Sequence, residues 1–231
     1  MARVVSIELI SRLATLYPTL EPGQINPWSF VAATAFSASN FPEAVPLVFQ
    51  YALKELDIHS ERLLLARKFR DALFKSGILS GYPKAINALV RLNGIMPDDL
   101  KDTTPLRDSR STEELTDVGQ NYFDRTYGDT AISVQNLIKE ACPDLDTFST
   151  AFAYGYVYSF AGVLSPAETS FATVAALIPS DVPRQIDWHL RGAVRNGASI
   201  EELKAVRQIS IEASQAAGVR WMNEIPEIAI L

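Results

Sequence analysis

Three stretches of this chain carry the same helix-opening signature, a serine followed three residues later by glutamate and then by an apolar run. They are Ser111–Glu114, Ser165–Glu168 and Ser199–Glu202. In this capping box the serine hydroxyl and the glutamate carboxylate satisfy backbone N–H groups that the first helical turn leaves unpaired. Pro166 strengthens the second box, because proline suits the first helical position. Apolar residues after each box recur at helical spacing for three to four turns. No sustained period-two alternation bounded by hairpin turns occurs anywhere, so strands are not expected. The chain is therefore read as all-α.

The first seventeen residues place Val4, Ile7, Ile10, Leu13 and Leu16 at helical spacing and are read as a packed first helix. Arg3 and Arg12 suit a transit peptide, but Glu8 argues against one. The terminal Glu-Ile-Ala-Ile-Leu is not a peroxisomal Ser-Lys-Leu signal. No apolar run is long enough to span a bilayer. An intracellular, most plainly cytoplasmic, location is expected, with mitochondria and peroxisome left open.

The chain has 231 residues, 48% of them apolar, enough for a sizeable core. Its formal net charge of −6, without a basic cluster, argues against nucleic acid as a partner. A single cysteine, Cys142, rules out an internal disulfide, a cysteine-built zinc site and a Cys-x-x-Cys pair. His59 and His189, the only histidines, lie too far apart in sequence for paired metal-ligand spacing. No phosphate loop or nucleophile elbow is present.

A repeat organises the rest. Val90–Leu100 and Ala193–Leu203 both contain Asn-Gly, three variable residues, two acids and a leucine. With an offset of 103, Asn93-Gly94 falls on Asn196-Gly197 and Leu100 on Leu203. Each text reads as a helix closed by a left-handed glycine, then an acid-capped helix with a buried leucine. The chain is expected to be one compact domain over residues 1–231. Within it lie a degenerate first helical unit at 42–100, a connector and helices at 101–143, and a second unit at 144–218. The polar stretch Met96–Thr112 is the connector.

The second unit resembles the carboxymuconolactone decarboxylase / AhpD-like family. The resemblance is carried by Leu164-Ser165-Pro166, Glu168, the apolar helix that follows, His189, the small residues Gly192 and Ala193, Asn196-Gly197 and the Glu201-Glu202-Leu203 start. It implies an all-helical fold, a homo-oligomer (trimer or hexamer) and a site between helices near the family histidine. The activities it implies are decarboxylation of a lactone acid or thiol-dependent peroxide reduction. The peroxide-reducing branch carries Cys-x-x-Cys where this chain has Val182 and Gln185, so that chemistry lacks its thiols. The first unit has Ile86 where the second has His189, and is expected to have no site of its own.

On this reading the chain is a cofactor-independent lyase acting on a small carboxylated, lactone or carbonyl compound. His189 is the candidate general acid/base, against the alternative of a core histidine. Glu168 matches the family's relay acid and would orient His189, although the capping box alone also explains it. Arg191 is a candidate clamp for a substrate carboxylate; a solvated or inter-subunit ion pair is the alternative. Tyr82, Trp188, Tyr154 and Tyr158 are candidate substrate-binding residues, the tyrosines as donors to an enolate, although aromatic helices are more often core. The alternatives to a lyase are a non-catalytic helical oligomer that binds a ligand or protein, and peroxide reduction through Cys142 with an external thiol.

Overall fold

A computed structural model describes residues 5–21 and 23–229. All of its regular structure is helical, with no strand among the described residues. In chain order the helices are α1 (Ile7–Leu16), α2 (Trp28–Ala38), α3 (Ala44–Leu53), α4 (His59–Ser80), α5 (Tyr82–Ile95), α6 (Thr112–Tyr127), α7 (Ala131–Ala141), α8 (Pro143–Thr147), α9 (Pro166–Leu177), α10 (Pro183–Arg195) and α11 (Ile200–Ala216). A π-helix, Phe148–Tyr158, continues directly from α8. Among the described residues no helix is long and apolar enough to cross a membrane. Val4 of the expected first helix lies outside the described residues.

The axis of the fold is α2. Every one of its residues is buried, and α3, α4, α9 and α11 pack around it. Its run of small residues (Ser29, Ala32, Ala33, Ala35, Ser37, Ala38) lets four helices approach one backbone. A helix apolar all round belongs in the centre of a bundle. Phe30, Phe36, Phe49, Phe69 and Phe171 fill the main core.

All three capping boxes form, with both reciprocal hydrogen bonds present in each. The two Asn-Gly texts fold differently. Gly197 adopts φ 101° and closes α10, with Ala198 N–H donating to Ala193 O at 3.0 Å. Gly94, expected to do the same, lies inside α5, which runs on to Ile95. The stop there is Pro97, which holds Met96 extended at ψ 130°. The extra turn brings Met96 into the core. Asp98 and Asp99 then open one 3-10 turn rather than a full helix, whereas Glu201 and Glu202 open the 17-residue α11. Leu100 and Leu203 are both completely buried, as expected.

The connector after Leu100 is irregular but fastened. Arg67 and Arg70 of α4 hold Asp102, each at 2.7 Å, and Arg107 reaches Asp71 of α4 at 2.6 Å. A smaller aromatic core follows, built from Tyr122, Phe123, Tyr127, Tyr154 and Tyr158. It exists because α6 and the π-helix touch backbone to backbone. A Cβ on Gly119 would lie 1.9 Å from Thr150 O, and one on Gly155 would lie 2.1 Å from Leu115 O. Only glycine permits that approach.

Candidate functional site

Where α6, the π-helix, α9 and α10 meet, they leave a small polar-lined cavity of about 10 Å³, room for about one water molecule. Its lining comes in pairs set by helical spacing. Tyr122 and Thr126 come from α6, Tyr154 and Tyr158 from the π-helix, and Thr169, Ser170 and Thr173 from one face of α9. His189 of α10 and Asn196 at its C-terminus complete the wall. All nine residues are buried. The approach of α10 to α6 depends on Gly192, where a Cβ would meet Thr126 Cγ2 at 2.7 Å.

Most of the cavity's polar atoms are already committed. Thr126 Oγ1 donates to Tyr122 O at 2.8 Å, Ser170 Oγ to Pro166 O at 3.0 Å and Thr173 Oγ1 to Ser170 O at 2.9 Å. These are the backward bonds that hydroxyls make within helices. Asn196 Nδ2 spends both protons, on Thr126 Oγ1 (3.3 Å) and Ser170 Oγ (3.0 Å). Tyr154 Oη bonds Tyr127 Oη at 3.1 Å. Three groups of this lining have no hydrogen-bond partner among the described residues. Tyr158 Oη and Asn196 Oδ1 are buried and unpaired, and the His189 ring makes only an edge contact with Tyr127, at 6.1 Å between centroids.

Among the described residues no lysine, arginine or carboxylate lines the cavity. Burial alone lowers the His189 pKa to about 4, because no counter-charge supports an imidazolium there. At neutral pH the ring is a neutral imidazole, with one donor and one acceptor nitrogen. Burial raises the Tyr122 hydroxyl to about 12 and pushes Tyr154 and Tyr158 above the ordinary tyrosine range, so all three keep their protons.

Of the residues singled out in the sequence, His189, Tyr154 and Tyr158 converge here. Glu168 does not. It lies on the opposite face of α9, with Ala167 and Phe171, in a groove of about 380 Å³ that Tyr17 and Glu202 also line. Its carboxylate caps Ser165 N–H at 3.0 Å and forms an ion pair with Lys68, so it neither touches nor orients His189. Arg191 Nε pairs with Asp187 at 3.0 Å and is half-buried away from the cavity. Trp188 packs edge-on against Tyr127, with the Arg184 guanidinium over its ring. Tyr82 is 58% exposed at the start of α5. Cys142 is exposed where α7 gives way to α8, and His59 sits exposed at the start of α4, 3.4 Å from Asp99. No group of three metal-ligating side chains occurs among the described residues.

Tyr122, Thr126, Thr169, Ser170, Thr173 and Asn196 were not anticipated as lining. In the sequence Asn196 marks a helix stop and part of the family text, not a cavity wall. Also unanticipated is a buried charge cluster beside the cavity. Lys75 is completely buried, with Nζ 2.7 Å from Thr169 Oγ1, 2.8 Å from Phe160 O and 3.0 Å from Asp71 Oδ2. Burial brings its pKa down to about 8, partly offset by Asp71. Lys68, Asp71 and Lys75 share one face of α4 at spacings of three and four, a signal the sequence does contain.

An all-helical chain whose cavity is built around a helix histidine ahead of a left-handed Asn-Gly stop fits one class. The chain belongs to the carboxymuconolactone decarboxylase family, whose sequence profile matches residues 143–226. Among its relatives is Peroxisomal protein 2 of Schizosaccharomyces pombe, 32% identical over 198 residues, an alignment covering 84% of this chain and 89% of that protein. The Saccharomyces cerevisiae protein of the same name is 27% identical over 287 aligned residues, covering 99% of this chain and all of that one.

Proposed function

We propose that the chain is a cofactor-independent lyase or isomerase acting on a small neutral lactone or carbonyl compound in the His189 cavity. One observation carries the reading. Tyr158 Oη, Asn196 Oδ1 and the His189 ring face a single interior space without protein partners. A buried polar group left unpaired costs about 1–3 kcal/mol, so Tyr158 Oη and Asn196 Oδ1, buried beside the His189 ring, favour a small guest that bonds them and widens this space on entering.

The chemistry follows from their protonation states. The free nitrogen of neutral His189 takes a proton from the carbon next to the ligand's carbonyl. The electron pair moves onto the carbonyl oxygen, where the Tyr158 hydroxyl donates to it. His189 then returns the proton to the same or a neighbouring carbon. Where a carboxylic acid loses CO2 instead, His189 first takes the acid's own proton, the electrons of the breaking C–C bond form the same enolate, and the imidazolium returns that proton to the carbon. The cationless lining favours the lactone or carbonyl member of the expected substrate class over one held by a free carboxylate. The two relatives named as peroxisomal proteins support a peroxisomal location, tested by whether the tagged chain co-localises with a peroxisomal matrix marker.

The activity test is deuterium uptake from D2O at the carbon beside the carbonyl of γ-butyrolactone and cyclopentanone, followed by NMR. Wild-type protein should accelerate it and His189→Gln should not. Equal acceleration by the folded variant removes His189 from the mechanism. One observation favours a second reading, ligand binding without chemistry: no carboxylate orients His189. Binding of these probes without exchange would support that reading.

A further inference from the structure

Three of the four serine and threonine hydroxyls in the cavity spend their protons on helix carbonyls, and toward a ligand they can only accept. Thr169 is the exception. Its oxygen lies 2.7 Å from Lys75 Nζ, and an ammonium only donates. The Thr169 oxygen therefore accepts on that side, and its own proton is left for the cavity. On its other sides Lys75 donates to Phe160 O at 2.8 Å and is ion-paired with Asp71, whose Oδ2 lies 3.0 Å away. Asp71 is in turn held by Arg107 at 2.6 Å. The ammonium is thus clamped from behind and faces the cavity through a single hydroxyl.

We propose that Lys75 is a positioning residue for the His189 cavity, holding the Thr169 hydroxyl as a permanent, cation-polarised donor to the oxygen of a neutral carbonyl ligand. A hydroxyl whose oxygen is bonded to a cation is a stronger donor, since bonds in a chain polarise one another in a low-dielectric interior. The Tyr122 hydroxyl, which also interacts with Thr169, takes this proton until a ligand does. Thr169 and Tyr158 then approach the ligand oxygen from two helices. A carbonyl compound fits that pair better than an alcohol or amine, which would bring a competing donor. This proposal rests on the reading that the cavity binds such a compound.

The test uses γ-butyrolactone labelled with carbon-13 at the carbonyl, titrated into wild-type protein, Thr169→Val, Thr169→Ser and Lys75→Met. Two quantities are read: the dissociation constant, and the bound carbonyl shift, which moves downfield as the donor strengthens. Thr169→Val should bind about tenfold more weakly and lose the downfield shift, while Thr169→Ser should restore both. Lys75→Met touches no ligand and leaves Asp71 paired with Arg107, so it should bind with the carbonyl moved upfield. If Lys75→Met does not fold, the valine and serine pair still decides the donor. Wild-type affinity and shift in Thr169→Val overturn the proposal, and a wild-type shift in folded Lys75→Met overturns the role of Lys75. Lactone that binds without proton exchange defeats the catalytic reading alone. Exchange indifferent to Thr169→Val defeats this one alone, and no binding at all defeats both.

Discussion

Glu168 and His189 lie on opposite sides of α9. Glu168 is held by Lys68 and by its own cap on Ser165, while His189 faces Thr169, Ser170 and Thr173. Replacing Glu168 with Gln should therefore lower the melting temperature, by breaking a mostly buried ion pair and weakening a cap. It should leave the His189 ring titration nearly where it was. A His189 pKa that moves by a full unit in this variant would reinstate Glu168 as its partner.

The neutral state of His189 makes stability depend on pH in a defined direction. Its folded pKa of about 4 lies below the ordinary 6.5, so the unfolded chain binds the proton more readily. This contribution is fully present above pH 6.5, declines as pH falls from 6.5 to 4, and is flat below that. The total is of order 3 kcal/mol. Urea unfolding of wild type and His189→Gln across pH 4–7 should show a slope for the first that is shallower for the second. Parallel slopes would mean that the ring is hydrated and only weakly shifted.

Asp71 holds two cations, the buried Lys75 at 3.0 Å and the partly buried Arg107 at 2.6 Å. Asp71→Asn should destabilise the fold by about 3–5 kcal/mol, the usual result of leaving a buried charge without its partner. Thermal or urea unfolding reads this directly. A change below about 1 kcal/mol would show that water reaches Lys75.

Gly155 sits where the π-helix meets α6, and an added Cβ would lie 2.1 Å from Leu115 O. Backbone cannot yield as a flexible side chain can. Gly155→Ala should force the two helices apart at a cost at the upper end of the 1–3 kcal/mol that overpacking usually brings. It should also shift the ring signals of Tyr154 and Tyr158, which the π-helix carries. A variant with wild-type stability and spectra would show that this contact is not tight in solution.

What could be read from the sequence was local. Ser111, Ser165 and Ser199 announce their helices because both halves of each capping box lie within four residues. His189 was recognisable from its surrounding text. Gly94 misled because the same Asn-Gly text ends one helix and not another; the deciding residue, Pro97, lies three positions downstream. The cavity was only half legible. Tyr122 and Thr126 meet Asn196 across some seventy residues of chain, and no period in the sequence records that meeting. Lys75 was overlooked because a lysine in a helix is ordinarily exposed, although its spacing from Lys68 and Asp71 marks one shared face.

The central claim is that His189 is a neutral imidazole facing a ligand cavity, and the most direct measurement is NMR titration of its ring protons with and without γ-butyrolactone. His59→Ala assigns the two histidines. The account predicts a His189 that stays neutral down to about pH 4 and whose ring signals shift saturably with lactone. A ring that titrates near 6.5, or one that ignores the lactone at every concentration, would contradict it.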